Sequence, residues 1–159
     1  MRQIIKDGQL VDDNWTMVDE VGLFPEGKIL ISSSSWNEQQ VQISKRYGEV
    51  GIWMTSEEQP EDIENVARIP VIAVLFENFM DGRGFSIARL LRERFDFQGE
   101  IRAVGSPIRD QLTYMVKCGF NAFDLADHYD PEEALTSLSD FSESYQTSVD
   151  QKEPLFRRR

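Results

Sequence analysis

An arginine-rich stretch, "FMDGRGFSIARLLRER" from Phe79 to Arg94, is the part of this chain whose residue types point most directly to chemistry. Gly82 and Gly84 permit a tight turn and let a ligand approach the backbone, and the turn opens a helical pattern. Backbone N–H groups at a helix start bind anions, and a guanidinium adds a forked donor suited to oxyanions. The stretch therefore predicts a small-oxyanion site at Arg83, Gly84 and Ser86.

The same stretch also supports a purely structural reading. Asp81 or Ser86 would cap the helix, and the two glycines would only permit the turn. Residues at the spacing i, i+3, i+4 and i+7 predict which face of the helix meets a sheet. That face comprises Ile87, Leu90, Leu91 and the stem of Arg94, whereas Arg89, Arg92 and Glu93 are predicted to point to solvent.

The loop "GSPIRDQ" repeats this chemistry after the next predicted strand. Loops that follow consecutive parallel strands meet at one edge of a sheet, so Arg109 and Gln111 are expected to share the oxyanion pocket with Arg83. Asp81 and Asp110 are the candidate acid/base groups if the pocket is catalytic. Alternatively, Arg109 faces Asp81 and Asp110 faces Arg83, and the loops form a salt-bridged rim without a ligand.

The chain carries none of the common signatures of a cofactor or nucleophile. It lacks a P-loop, the third glycine of a dinucleotide fingerprint, a C-x-x-C pair and a G-x-S-x-G elbow. Cys118 is the only cysteine and His128 the only histidine, so one chain cannot assemble a disulfide or a His/Cys metal cluster. Cys118 precedes Gly119 at a predicted helix end, which favours a structural thiol. The sequence therefore predicts no metal and no cofactor.

Charge and hydropathy exclude two classes of partner. The 159 residues carry a formal net charge of −11 and the pI is about 4.5, so the chain repels nucleic acid and anionic lipid. The amino terminus has no apolar signal-peptide core, and no apolar run reaches the ~18 residues of a membrane span. These features predict a cytoplasmic protein that binds neither nucleic acid nor membrane.

Short apolar runs alternate with helical patterns and predict an α/β fold with a mostly parallel, five-stranded sheet flanked by helices. An open sandwich is the first choice and a partial β/α barrel the alternative, because periodicity does not distinguish an open sheet from a curled one. Residues 1–150 are predicted to form one domain, with an N-terminal β-hairpin at 1–20 that turns at Asp7-Gly8, and 151–159 an extended tail. The predicted strands are Lys28–Ser32, Val50–Met54, Val71–Phe76, Glu100–Gly105 and Asn121–Leu125. The predicted helices are Trp36–Tyr47 with Ser35 or Asn37 as its cap, 57–68, Arg109–Lys117, Pro131–Tyr145, and the one that opens in the arginine-rich stretch.

Several motifs resemble the bacterial family filed as domain of unknown function 934. They are "DGRGFSIARLLRER", "GEIRAVGSPIRDQ", "CGFNAF" and the ending "PLFRRR", and the likeness extends to the amino-terminal "IIKDGQLVDDNW". Members are commonly labelled oxidoreductases involved in sulfite reduction, which implies a place beside sulfite reductase in the route to cysteine. One departure is Asn121, where the family usually has an aspartate, so this chain lacks one carboxylate that its relatives carry.

Two hypotheses follow from the residues and the resemblance. In the first, the protein is an accessory to assimilatory sulfite reduction that binds a small oxyanion or docks on sulfite reductase. In the second, it is a stand-alone enzyme that acts on a small anionic substrate with Asp81 or Asp110 as the acid/base group. The tail favours the first hypothesis, because its apolar and basic residues predict attachment to sulfite reductase or to a second copy of this chain. The predicted partner-binding residues are Leu155, Phe156, Arg157, Arg158 and Arg159.

Overall fold

A computed structural model describes residues 3–18, 25–76, 82–105, 111–125 and 131–139 of the chain. Strands and helices alternate along most of these residues, and no helix among them is long and apolar enough to cross a membrane. The strands are β1 (Gln3–Lys6), β2 (Gln9–Asp12), β3 (Thr16–Met17), β4 (Ile29–Ser32), β5 (Val50–Thr55), β6 (Val71–Phe76), β7 (Glu100–Gly105) and β8 (Ala122–Leu125). The helices are α1 (Ser33–Glu38), α2 (Gln40–Ile43), α3 (Gly82–Glu93), α4 (Leu112–Cys118) and α5 (Pro131–Ser139), with 3₁₀ turns at Ser44–Arg46, Pro60–Asp62 and Val66–Arg68.

The amino-terminal hairpin turns where the Asp-Gly signal predicts. Asp7 and Gly8 have φ angles of 53° and 80°, and two successive positive φ angles are the requirement of a type I′ turn. β1 pairs antiparallel with β2 on one side and with β8 on the other. Beyond Asp12 the chain leaves the hairpin and crosses to the opposite edge of the sheet, where Thr16–Met17 pair with β4.

The sheet is a curled half-barrel of eight strands in the order β2-β1-β8-β7-β6-β5-β4-β3. Each pair of adjacent strands from β3 to β8 is parallel, whereas β8 and β1 are antiparallel. The two edge strands, β2 and β3, are joined by residues 13–15 alone. Four Cα–Cα steps reach about 14 Å, whereas seven strand spacings in a flat sheet would cover about 34 Å. The sheet must therefore curl, so the five-stranded sheet and the open sandwich are wrong, and the α/β class and the partial-barrel alternative are confirmed.

One continuous apolar core lies between the sheet and the helices. Ile31, Ile52, Ile72 and Ile101 stand side by side on neighbouring strands and form a row across this face. All four are at most 1% exposed, and β-branched side chains pack well on a pleated sheet that is covered on both faces. This row fixes the register of the central strands, because a slip by one residue would turn every isoleucine away from the helices.

The predicted helix Trp36–Tyr47 is broken and begins earlier than expected. The Ser32 hydroxyl accepts the backbone N–H of Ser35 at 3.1 Å and caps α1, so Ser35 and Asn37 are not the cap. Asn37 instead fastens the helix to a loop, donating to the carbonyl of Asp62 and accepting the N–H of Glu64. A serine that precedes the helical pattern captures the first orphan N–H groups, which starts the helix upstream of the predicted caps.

Residues 57–68 do not form the predicted acidic helix. Two 3₁₀ turns replace it, because Pro60 cannot donate in a helix interior and disfavours a helical residue before it. Asn65 then adopts a left-handed conformation with φ of 53°, which interrupts any helix that might resume. The segment still buries Ile63 and packs Val66 against the core, so its apolar edge meets the core as a pair of turns.

Two arginines at the end of the arginine-rich stretch are placed differently from the prediction, Arg92 in the last turn of α3 and Arg94 just after it. Arg92 is half-buried, and its guanidinium donates to the carbonyls of Phe97, Gly99 and Gly119 at 2.8–3.0 Å. Arg94 is 65% exposed and pairs with Glu61 at 3.1 Å. The three hydrogen bonds from Arg92 to backbone carbonyls stabilise an inward side chain. Arg92 is therefore less exposed than its position on the helix predicts.

Candidate functional site

The carboxyl ends of β6 and β7 meet and start the two loops richest in polar chemistry. Phe76 and Gly105 are Cα partners at the end of this strand pair. Gly105 has a φ of 144°, and a Cβ there would lie 1.8 Å from the Phe76 carbonyl oxygen, so no other residue fits without moving the backbone. The strand ends are therefore in direct contact, which confirms that the two loops begin as neighbours.

The first two turns of α3 carry three of the predicted oxyanion-binding residues, Arg83, Gly84 and Ser86. Arg83 is exposed on the first turn, and Ser86 is exposed one turn later. The Ser86 hydroxyl lies 3.4 Å from the Gly82 carbonyl, so it bonds back along the helix and does not cap it. Gly84 is buried, and a Cβ there would lie 2.4 Å from the Phe76 ring. Gly84 thus lets α3 pack on the end of β6, which is a role distinct from approach to a ligand.

An aromatic contact joins the starts of α3 and α4. The rings of Phe85 and Tyr114 meet edge to face, with centroids 5.0 Å apart and planes at 89°, a geometry that aromatic pairs prefer. Phe76 supports Phe85 from below at 5.8 Å. Gln111 is exposed and directly precedes α4. The structure therefore brings Arg83 and Gln111 to the same edge of the sheet, on the two helices that this aromatic contact holds together.

Several predicted site residues lie outside the described part of the chain. They include both candidate acid/base groups, one of the predicted oxyanion ligands and the whole of the tail. Their roles stay predictions. These residues are Asp81, Arg109, Asp110, Leu155, Phe156, Arg157, Arg158 and Arg159.

A hydroxyl–carboxylate cluster occupies the carboxyl ends of β4 and β5. Glu58 accepts the backbone N–H of Thr55 at 3.0 Å, the Thr55 hydroxyl at 3.3 Å and the hydroxyl of Ser33. Glu58 was not predicted from the sequence as a site residue. The signal that could have found it is "TSEE", a Thr-x-x-Glu spacing in which the glutamate folds back to the threonine N–H.

The sole cysteine is deeply packed. Cys118 is 0% exposed at the last position of α4. Gly119 follows with a φ of 120° and donates its N–H to the carbonyls of Met115 and Val116, closing the helix end as the sequence predicts. Within the described ranges, no three His, Cys, Asp or Glu residues are grouped so that they could hold a metal ion.

Comparisons with known proteins give one match. The family model described as "Bacterial protein of unknown function (DUF934)" matches residues 51–156, from the start of β5 into the arginine-ended tail. No curated protein and no solved structure matches the chain. The matched range includes α3, α4 and every predicted site residue except Arg157, Arg158 and Arg159.

Proposed function

This chain belongs to the bacterial DUF934 family, and we propose that it is an accessory protein of assimilatory sulfite reduction. In this proposal, a small oxyanion such as sulfite binds at the first turn of α3, and the protein docks on sulfite reductase. The assignment to sulfite reduction rests on the resemblance of the chain to proteins that carry that label. The binding step rests on the geometry at the carboxyl edge of β6 and β7.

The position of Arg83 is the observation that carries the binding step. It is exposed on the first turn of a 12-residue helix that follows the most continuously apolar strand of the sheet. Backbone N–H groups on this turn carry the positive end of the helix dipole, and a guanidinium offers parallel donors to two oxygens of one anion. Because the chain carries a net charge of −11, an anion needs such a local positive site to overcome long-range repulsion.

The packing of Cys118 favours an accessory role over thiol chemistry. A thiol that exchanges electrons with a substrate must be reachable and is usually activated by nearby positive charge. Cys118 is fully buried at the last position of α4, so a substrate in solution does not reach its thiol. The one cysteine of the chain therefore serves as a small apolar residue of the core.

Calorimetric titration with sulfite, sulfate and phosphate tests the binding step. We expect millimolar or tighter binding by the wild-type chain and a loss of about 10- to 100-fold in Arg83→Ala, because a hydrogen bond from a charged donor contributes about 1.5–3 kcal/mol. Arg89→Ala is the matched control, since Arg89 lies on the same helix, is 44% exposed and pairs with Glu93. Absence of binding by wild type, or equal losses in both variants, would reject the site.

The pathway assignment needs a separate measurement. A strain that lacks this protein should grow poorly on sulfate or sulfite as the sulfur source and normally on cysteine. Wild type and Arg89→Ala should restore growth, whereas Arg83→Ala should not. Normal growth of the deletion strain on sulfite would exclude a role in sulfite reduction while leaving the oxyanion site open.

A further inference from the structure

A buried group of ions lies on the face of the sheet that looks away from the helices. The link between the two edge strands crosses this face, which is therefore the concave side of the half-barrel. Arg102 and Glu100 are 2% and 5% exposed there. Arg102 Nε donates to Glu100 at 2.7 Å, Arg102 Nη1 donates to Asp13 at 3.0 Å, and Lys6 lies 3.4 Å from Glu100. Two cations and two carboxylates make the group neutral.

The guanidinium of Arg102 is only partly used by these contacts. It has five N–H donors, and the two carboxylates engage Nε and Nη1. No described residue offers an acceptor to Nη2. A buried donor without an acceptor is unfavourable, so this side of the guanidinium is suited to an added acceptor, such as one oxygen of a two-oxygen anion that also reaches Nη1.

The residues beside Arg102 on the neighbouring strands are small. Its Cα partners on β6 and β8 are Ala73 and Ala122, both 0% exposed. Side chains this short do not cover a guanidinium. The segment Asp13–Val18, which we call the strap, meets this face at both of its ends. Asp13 accepts from Arg102, and Trp53 Nε1 donates to the carbonyl of Val18 at 3.1 Å.

The strap is attached by few interactions. Thr16 and Val18 donate their N–H groups to the carbonyls of Lys28 and Leu30 at 3.0 and 2.9 Å. β3 is only two residues long, and both of its side chains are exposed. Trp15 packs beside the small apolar cluster of this face. Segments with few buried contacts and exposed backbone pairing open at a lower free energy than the core strands.

We propose that Arg102 is the recognition group of a second anion site on the concave face, and that the Asp13 carboxylate occupies it as an internal ligand. A small carboxylate replaces Asp13 on Nη1, also engages Nη2, and displaces the strap. The exchange conserves the charge of the group, because one carboxylate leaves as another arrives. This site is separate from the one at α3, and neither depends on the other.

The test uses malonate as the probe, in the full-length chain that carries Arg83→Ala so that binding at α3 does not contribute. We expect Asp13→Asn to bind malonate roughly tenfold more tightly than its parent, a change equivalent to about 1.4 kcal/mol, because the internal competitor loses its charge. Asp12→Asn is the matched control, since Asp12 is the adjacent, exposed aspartate. Arg102→Gln, added to Asp13→Asn, should remove the gain.

Hydrogen exchange on the chain with native Asp13 provides a measurement that does not depend on how these variants fold. Malonate should accelerate exchange of the Thr16 and Val18 amides with saturation, and sodium chloride at equal ionic strength should not. Core amides of β6 should stay protected in both cases. If malonate leaves the strap amides unchanged, or if Asp13→Asn binds no more tightly than Asp12→Asn, the Asp13–Arg102 contact is a permanent closure and the proposal is wrong.

Discussion

Replacing Arg92 by methionine is expected to destabilise the protein far more than the same change at Arg89. Arg92 donates to three backbone carbonyls, those of Phe97, Gly99 and Gly119, and its guanidinium lies 5.8 Å from the Phe97 ring. These acceptors belong to the turn after α3 and to the end of α4. One side chain therefore holds two helix ends and the entry to β7 together.

The magnitude follows from the three bonds. A hydrogen bond that involves a charged group contributes about 1.5–3 kcal/mol, and bonds that share one partly exposed side chain add to less than their sum. We expect Arg92→Met to lower the free energy of unfolding by about 2–4 kcal/mol. Methionine keeps the apolar stem, so the loss reports on the donors. Arg89→Met should cost less than about 0.5 kcal/mol, the value of an exposed i,i+4 ion pair.

Urea denaturation followed by circular dichroism measures both variants. The m-values should match that of wild type, because neither change alters the surface exposed on unfolding. The reasoning is refuted if Arg92→Met loses less than about 1 kcal/mol, or if the two variants lose equal amounts. Either result would mean that water replaces the guanidinium at these carbonyls without penalty.

Three further changes have defined outcomes. Gly84→Ala should lower the melting temperature, because its Cβ would lie 2.4 Å from the Phe76 ring and overpacking costs about 1–3 kcal/mol, whereas Gly82→Ala, with open space around it, should not. Asn121→Asp should be nearly neutral and Asn121→Ala destabilising in urea denaturation, because the Asn121 side-chain oxygen accepts a backbone N–H of β7 at 2.8 Å and a carboxylate can do the same. Deletion of Leu155–Arg159 should change the melting temperature by only a few degrees but abolish co-purification with sulfite reductase, and normal growth of the truncated strain on sulfite would contradict a docking role.

The central strands could be predicted from sequence because their signal is local. β6 is a run of apolar residues buried on both faces, and such a run shows in any short window. The curl of the sheet is not a local property. It follows from where β3 pairs, and a two-residue strand with exposed side chains carries almost no hydropathy signal. The short link after Asp12 was the available clue, since it brings opposite edges together.

The errors in the helices have a common physical cause. Hydrophobic periodicity does not show which backbone N–H and C=O groups have a hydrogen-bond partner. In this chain, polar side chains bond to some of these groups, and proline lacks the N–H altogether. The Ser32 hydroxyl started α1 early, Pro60 and Asn65 broke a predicted helix into turns, and Arg92 turned inward to reach free carbonyls. Hydrophobic spacing locates the buried face of a segment, and side-chain bonds to the backbone decide where the helix begins and ends.

The candidate sites differ in how far sequence reasoning reaches them. The place of Arg83 in the first turn of a helix could be predicted, because glycines and a helical pattern surround it within a few residues, whereas its binding role stays a prediction. Arg102 could not, because an arginine in a short strand reads as exposed, and its partner Asp13 lies 89 positions away. Glu58 is an intermediate case. Its Thr-x-x-Glu spacing is a local signal, but this spacing usually marks the start of an α-helix, and here only a 3₁₀ turn follows.

Arg83 and Arg102, the centres of the two proposed anion sites, differ in how solvent and salt affect their interactions. A chain of net charge −11 repels anions at long range, so an anion site must be strong locally. Arg83 is exposed, so solvent and salt screen its interactions, with a Debye length of about 8 Å at physiological ionic strength. Arg102 is removed from solvent, so its interactions are less screened, but burial requires a compensating carboxylate at all times. Binding at α3 should therefore weaken as salt rises, whereas the exchange at Arg102 should depend on which carboxylates are present more than on ionic strength.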